Sequence, residues 1–179
     1  TGVLVFVIAI LPSVSDRSLH ILRAEVPGPV VGKLVPKISE TAKILYLIYI
    51  VLTALEILLL SFGDMSLFES IVHSFGTAGT GGFGIKADSI GSYSAYSQWV
   101  ITAFMLTFSL NFNMFYLLLL RNFKQTLKSE ELWTFLGLVL VALSVICLST
   151  FKMFSTLEET IRHSAFTVAS VISTTGYAT

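Results

Sequence analysis

The chain has 179 residues, of which 54% are hydrophobic and only 12% charged, about half the ~25% charged share of a soluble domain. Lys plus Arg matches Asp plus Glu at 11 each, which excludes a basic nucleic-acid binder and names no polyanionic partner. The single cysteine, Cys147, excludes an intramolecular disulfide and any cysteine-based metal site, and with a mean hydropathy of +0.83 an all-α integral membrane protein remains.

The chain begins at Thr1-Gly2-Val3 with no methionine or charged leader and closes on Tyr177-Ala178-Thr179, so it reads as part of a longer polypeptide. Residues 1–11, with the apolar stretch Val3–Leu11, are too short to span and read as the end of an inner helix. Residues 12–40 form a polar connector, broken by Pro27, Pro29 and Pro36 and carrying Arg17, Arg23, Lys33 and Lys37. Ile44–Phe62 is the first full span, in an outer helix drawn at about 41–62. A short apolar stretch follows at about 66–76 and leads into a Gly/Thr loop at 79–84. Trp99–Leu120 is the second span, within an inner helix of about 97–121. The join 121–131 carries Arg121, Lys124 and Lys128. Leu132–Phe151 is the third span, in an outer helix of about 131–152. A second short helix at about 157–172 then runs into a second Gly/Thr loop at 173–178. Each long stretch meets the roughly 20 residues needed to cross a bilayer. Lys and Arg stay on the cytoplasmic side, which places 12–40 and 121–131 inside. Both short helix–loop segments then enter from outside, and irregular backbone at that depth survives only when buried in protein or lining a water-filled cavity.

Aligning Gly82 with Gly176 exposes an internal repeat with a period of 94 residues. Thr80 then meets Thr174, Phe83 meets Tyr177, and the first span meets the third. The repeating unit is span, short helix, Gly/Thr loop, span, as in potassium channels. The loops, Thr80-Gly81-Gly82-Phe83-Gly84 and Thr174-Thr175-Gly176-Tyr177-Ala178, follow the order of the channel filter Thr-Val-Gly-Tyr-Gly. A filter replaces the hydration shell of K⁺ with backbone carbonyls. Carbonyls face one narrow axis in succession only when the backbone takes unusual φ/ψ, which Gly tolerates. Thr80, Gly81, Gly82, Thr174, Thr175 and Gly176 are therefore the candidate K⁺ ligands, through backbone carbonyls, with Phe83 and Tyr177 bracing the loops. Each preceding helix points its partially negative C-terminal end at the pathway, which favours a cation. No organic cofactor is implied. A P-loop is rejected because the required Lys-Ser/Thr does not follow Gly81.

Other residues carry two readings. Glu56 lies within a span, where an ionisable group is a functional hypothesis by default, against snorkelling or a local polar partner. His73 and His163 precede the loops at different offsets, which favours pore-helix packing or a surface position over a shared role. Asn111 and Asn113 suit an interhelical hydrogen bond, with pore lining the sharper alternative. Tyr93, Tyr96 and Trp99 suit an outer aromatic belt, and Cys147 suits inert packing. No paired carboxylates, Ser–His constellation or metal-ligand spacing points to an enzyme. A secondary cation transporter with a midplane site stays open, but its Gly-broken helices come in inverted repeats, whereas these repeats run in one direction. A non-conducting assembly subunit also stays open.

Several stretches resemble the bacterial TrkH potassium-uptake proteins of the Trk/Ktr/HKT family. They are Arg23-Ala24-Glu25-Val26-Pro27-Gly28-Pro29, Lys33-Leu34-Val35-Pro36-Lys37-Ile38 with Thr41-Ala42-Lys43, and His73-Ser74-Phe75 through Gly84. Phe104-Met105-Leu106 with Asn111-Phe112-Asn113, and Ser173 through Thr179, complete the likeness. The resemblance covers essentially the whole chain and favours TrkH over KtrB. It implies four helix–pore loop–helix repeats with pseudo-fourfold symmetry in the full chain, in the bacterial plasma (inner) membrane. This chain then supplies the end of repeat 1 (1–11), the connector (12–40), repeat 2 (41–122) and repeat 3 up to its filter (123–179). The resemblance also implies K⁺ as the transported ion, with coupling by symport open, a homodimer in membrane lipid, and a cytoplasmic nucleotide-binding ring of TrkA type. Ala178 departs from the last Gly of a channel filter and leaves K⁺/Na⁺ selectivity open.

Overall fold

The computed structural model describes residues 38–111, 114–115, 129–151 and 153–179, with side chains from Lys43 onward. The connector (12–40), apart from its last residues, and the end of repeat 1 lie outside the described residues, as do Asn113 and most of the basic join 121–131. The described residues form helices and no strand: α1 (Ile38–Ser61), α2 (Leu67–Ala78), α3 (Ala95–Ser109), α4 (Glu130–Thr150) and α5 (Leu157–Ile172).

Two stretches among the described residues are long and apolar enough to cross a membrane, Lys43–Ser61 of α1 and Glu130–Thr150 of α4. Helix α4 buries no residue and exposes Leu138, Val141, Val145 and Leu148. A helix apolar all round needs apolar surroundings on every side. The expected inner helix of about 97–121 is not continuous. Helix α3 stops at Ser109, and Leu110 turns extended at φ −72°, ψ 149°. The physical reason is local. The hydroxyls of Thr107 and Ser109 bond back to the carbonyls of Ala103 and Met105, each at 2.7 Å, a pattern that bends helices. The carbonyl of Asn111 then accepts the Met114 N–H at 2.9 Å to start a new turn.

The chain divides into two compact units. In the first, the Asn111 side-chain amide, in the stretch that follows the helix, donates to both carboxylate oxygens of Glu131 on α4 at 3.3 Å, so the expected bond to a neighbouring helix is made from outside a helix. The second, residues 52–110 and 132–179, holds both short helices and both Gly/Thr loops. Helix α3 packs against α2 and α5. Leu60, Met65, Ile90, Ile101, Met105, Phe166 and Ala169 make its apolar core, together with Tyr93 and Tyr177.

The short helices are capped from their own sequence. Ser66 and Glu69 close a reciprocal capping box on α2, with the Ser66 N–H donating to Glu69 at 2.8 Å. Thr156 caps α5 through the Glu159 N–H at 3.2 Å. Between α1 and α2, Asp64 accepts from the Ser94 N–H at 2.8 Å and from the Ser94 and Ser97 hydroxyls at 2.6 Å each. One carboxylate thus ties the end of α1 to the cap of α3. Burial pulls the Asp64 carboxyl upward, but the bonds from Ser94 and Ser97 outweigh it and hold the group below its ordinary value.

Candidate functional site

Helices α2 and α5 end in the same way, 94 residues apart. Gly79 N–H donates to Phe75 O at 2.9 Å, and Ser173 N–H to Ala169 O at 2.9 Å. Thr80 N–H reaches Thr77 O and Thr174 N–H reaches Val171 O, both at 3.1 Å. Gly81 and Gly82 both donate to Gly76 O, at 2.8 and 3.4 Å, and Thr175 and Gly176 both donate to Ser170 O, at 3.0 and 3.4 Å. The backbone angles match as well, with φ of +50° at Thr80 and +58° at Thr174, and +65° at Gly82 and +84° at Gly176. A threonine at positive φ is strained by about 1–2 kcal/mol, and both loops carry that strain at the same place. Among the described residues, none of the carbonyl oxygens of Thr80, Gly81, Gly82, Thr174, Thr175 and Gly176 accepts a hydrogen bond. Neither short helix has a basic residue in its last turn, whereas Glu69, Glu158 and Glu159 sit in the first turns. The negative ends of two helix dipoles therefore meet a set of unpaired carbonyls, an environment suited to a cation.

The loops touch backbone to backbone. A Cβ on Gly82 would overlap the Thr175 carbonyl oxygen, so glycine is required there twice over, by φ and by space. A Cβ on Gly76 would overlap the Tyr177 hydroxyl. That hydroxyl donates to His73 O at 3.2 Å and lies 3.5 Å from Phe83 O. Tyr177 is 4% exposed, and its own carbonyl accepts from the Ser170 hydroxyl at 2.7 Å. Thr175 is buried and shares a 2.6 Å hydrogen bond with Ser173. Beyond the loop, Ala178 O accepts the Ile90 N–H at 3.0 Å and Ala178 N–H donates to Ser89 at 3.2 Å. Gly84, the counterpart of Ala178, has no positive φ, and a Cβ there meets nothing closer than Ser89 Cα at 3.4 Å. An alanine at that step therefore costs little.

Phe83 differs from the expected brace. Its ring is 80% exposed. The wall that Tyr177 packs against is α2, and no equivalent wall faces Phe83 among the described residues.

Behind the first loop, α2 buries a polar face, with Ser70, His73, Ser74 and Thr77 all at 0% exposure and spaced three or four residues apart. His73 Nε2 lies 3.2 Å from the Tyr93 hydroxyl, which donates to Glu69 at 3.0 Å. Lys86 Nζ sits 3.8 Å from the centre of the Tyr93 ring. Burial first, then the bond to Glu69, pushes the Tyr93 phenol up to about 12. The Ser66 backbone N–H, with the Ser66 and Tyr93 side chains, holds Glu69 below the usual carboxylate value. Tyr93 is thus a buried part of the site, 5% exposed, and not a belt residue. Tyr96 and Trp99 remain half exposed, bonded to Leu59 O at 3.0 Å and to Glu158 at 3.2 Å. The histidines differ as their offsets suggest. His73 is fully buried, whereas His163 stacks on Phe154 at 4.8 Å and reaches Thr179 at 2.9 Å.

Gln98 and Arg162 carried no signal in the sequence. The Gln98 amide donates to the carbonyls of Ile90, Gly91 and Tyr93 at 3.1–3.3 Å. Its oxygen accepts from Arg162, which also pairs with Glu158 at 2.9 Å. Three separate elements meet at that one amide. Glu56 is fully buried on α1 behind α2.

The TrkH family model, described as a cation transport protein, matches residues 1–155. The chain is 35% identical to the Trk system potassium uptake protein TrkH of Escherichia coli (strain K12), over 99% of the chain and 38% of that protein. It is 35% identical to TrkH of Halomonas elongata, over 98% of the chain and 37% of that protein. To the Trk system potassium uptake protein TrkG of Escherichia coli (strain K12) it is 31% identical, over 99% and 38%. The chain thus spans a little over a third of the length of these relatives. The crystal structure of the potassium transporter TrkH from Vibrio parahaemolyticus has the same fold, with a TM-score of 0.73 at 23% identity, over 98% of this chain and 36% of that one.

Proposed function

Because the chain belongs to the TrkH family of cation transport proteins, we propose that it forms part of a potassium-uptake pore in the bacterial plasma membrane. The observation that carries this reading is the matched pair of loops, with positive φ at the same two positions and carbonyls that accept no hydrogen bond among the described residues. Positive φ at alternate positions turns successive peptide planes so that their oxygens project to one side, as a dehydrated K⁺ requires. Thr80, Gly81 and Gly82, with Thr174, Thr175 and Gly176, supply those oxygens. Tyr177 braces both loops. Phe83 plays the same part against a preceding repeat. Transport runs down an electrochemical gradient worth about 2.3 kcal/mol per charge per 100 mV and needs no covalent chemistry.

In this reading α1, α2, the loop at 79–84 and α3 belong to one repeat, and α4, α5 and the loop at 173–178 to the next. The pore closes with further repeats around a pseudo-fourfold axis. The related proteins are named as parts of a Trk system, and a homodimer served by a nucleotide-binding ring of TrkA type is the assembly proposed here.

The test is Rb⁺ uptake by the full-length protein in a bacterium lacking its own K⁺ uptake, wild type against Gly82→Ser, with membrane abundance measured. Loss of rate or of K⁺/Na⁺ selectivity at equal abundance supports a filter at Gly82. Equal transport removes Gly82 from a tight filter, and no transport by either favours an assembly subunit.

A further inference from the structure

Glu56 is 0% exposed, and neither of its carboxyl oxygens has a hydrogen-bond partner among the described residues. The ion pair formed among those residues joins Arg162 to Glu158 and leaves Glu56 aside. A lone carboxyl group inside a span is costly, and Met or Leu would fill the same volume without that cost. The group it faces is the Thr77 hydroxyl on α2. Thr77 gives its own proton to His73 O at 2.9 Å and so lies opposite the carboxyl without closing a bond to it. The Tyr177 hydroxyl also comes within reach of the Thr77 side chain.

These three groups stand at the hinge of both loops. Thr77 O accepts the Thr80 N–H at 3.1 Å, and its neighbour Gly76 O accepts from Gly81 and Gly82. A shift of Thr77 therefore moves the first loop. A shift of the Tyr177 hydroxyl changes its contacts with His73 O and Phe83 O and carries the second loop with it. Ser74 Oγ, on the same buried face of α2, also lacks a partner among the described residues, so the polar cluster behind the loops is larger than the bonds seen to satisfy it.

We propose that Glu56 is a positioning residue for both loops, whose carboxyl holds the Thr77 and Tyr177 hydroxyls in the arrangement that sets the cation selectivity of the pathway. This rests on the pore reading above. It assigns Glu56 no contact with the ion.

The test measures Rb⁺ and Na⁺ uptake by the full-length protein, comparing wild type with Glu56→Gln and Glu56→Met at equal membrane abundance. The Gln variant keeps the polar group and the wild-type ion ratio. The Met variant keeps the volume, takes away the polar group that faces the two hydroxyls, and lowers the ratio at least about fivefold. An unchanged ratio in the Met variant makes Glu56 a space filler and overturns the proposal, as does an equal loss in both variants. If the Met variant does not reach the membrane, Thr77→Val takes its place, with the same loss expected and an unchanged ratio overturning the proposal. Absence of uptake by the wild type overturns the pore reading and this inference together, and is distinguished from the other outcomes by the wild-type control alone.

Discussion

The two Gly/Thr loops share one backbone and are held by different means. The second carries its own fastener, the Ser170 hydroxyl on the Tyr177 carbonyl at 2.7 Å. The first has Gly76 where the second has Ser170, and it borrows the Tyr177 hydroxyl from the other loop, 3.5 Å from Phe83 O. Gly76 is a glycine because that hydroxyl occupies the space of a Cβ. The glycines inside the loops differ too. Gly82 is hemmed in by Thr175 O, whereas among the described residues a Cβ on Gly176 meets nothing within 4 Å. The comparison shows that one backbone conformation is held in two ways, with part of the first loop's support supplied by the second.

The largest effect should separate the two loop glycines. Gly82→Ala meets both a positive φ and a backbone oxygen, and is expected to destabilise the protein by more than about 3 kcal/mol and to abolish Rb⁺ uptake. Gly176→Ala meets, among the described residues, the φ alone and is expected to cost about 1–2 kcal/mol in this chain. Thermal unfolding of the two variants in detergent ranks them, and equal losses would break the comparison. Next comes Gly76→Ala, expected to cost about 1–3 kcal/mol by overpacking against Tyr177. Tyr177→Phe removes the obstructing oxygen, so the double variant should recover part of the loss, and strict additivity would deny the contact. Ser170→Ala strips the second loop of its own fastener and should cost about 1 kcal/mol, with hydrogen exchange rising more in the second loop than in the first. The smallest effect is expected at Asp64, which is exposed to solvent. Its carboxyl sits below the ordinary aspartate value in the folded state, so its stabilising bonds are present above about pH 3.9 and fade as the pH falls below that. Asp64→Asn should flatten this acid limb in a pH series of unfolding temperatures. An unaltered limb would assign the acid loss to other carboxylates.

Much of this was legible in the residues because it is local. Twenty-odd apolar residues specify a long helix, and Ser66 with Glu69 announces the start of α2. The order Thr-x-Gly-aromatic, repeated, points to two loops of one conformation. What was not legible depends on contacts between segments far apart in sequence. Phe83 and Tyr177 occupy the same repeat position, yet one ring is exposed and the other buried, because only Tyr177 meets a neighbouring short helix among the described residues. Tyr93 has the sequence setting of a belt residue and becomes a buried hydrogen-bond partner of His73 and Glu69. Gln98 looks like any polar residue in a first helical turn until three carbonyls and Arg162 converge on it. The end of α3 at Ser109 had a local signal, hydroxyl residues followed by Asn111, but the apolar run around them outweighs it in any window long enough to define a span.

The short helices are matched at their ends and unequal at their beginnings. Helix α2 has 12 residues and α5 has 16, so α5 starts about one turn, roughly 6 Å, farther back from its loop. Counted back from the matched helix ends, Glu158 and Glu159 lie at least one turn farther from their loop than Glu69 does from its own. In the proposed pore, with the loops entering from outside, a cation would meet these carboxylates at two heights, and a blocker of fourfold symmetry would find no level seat.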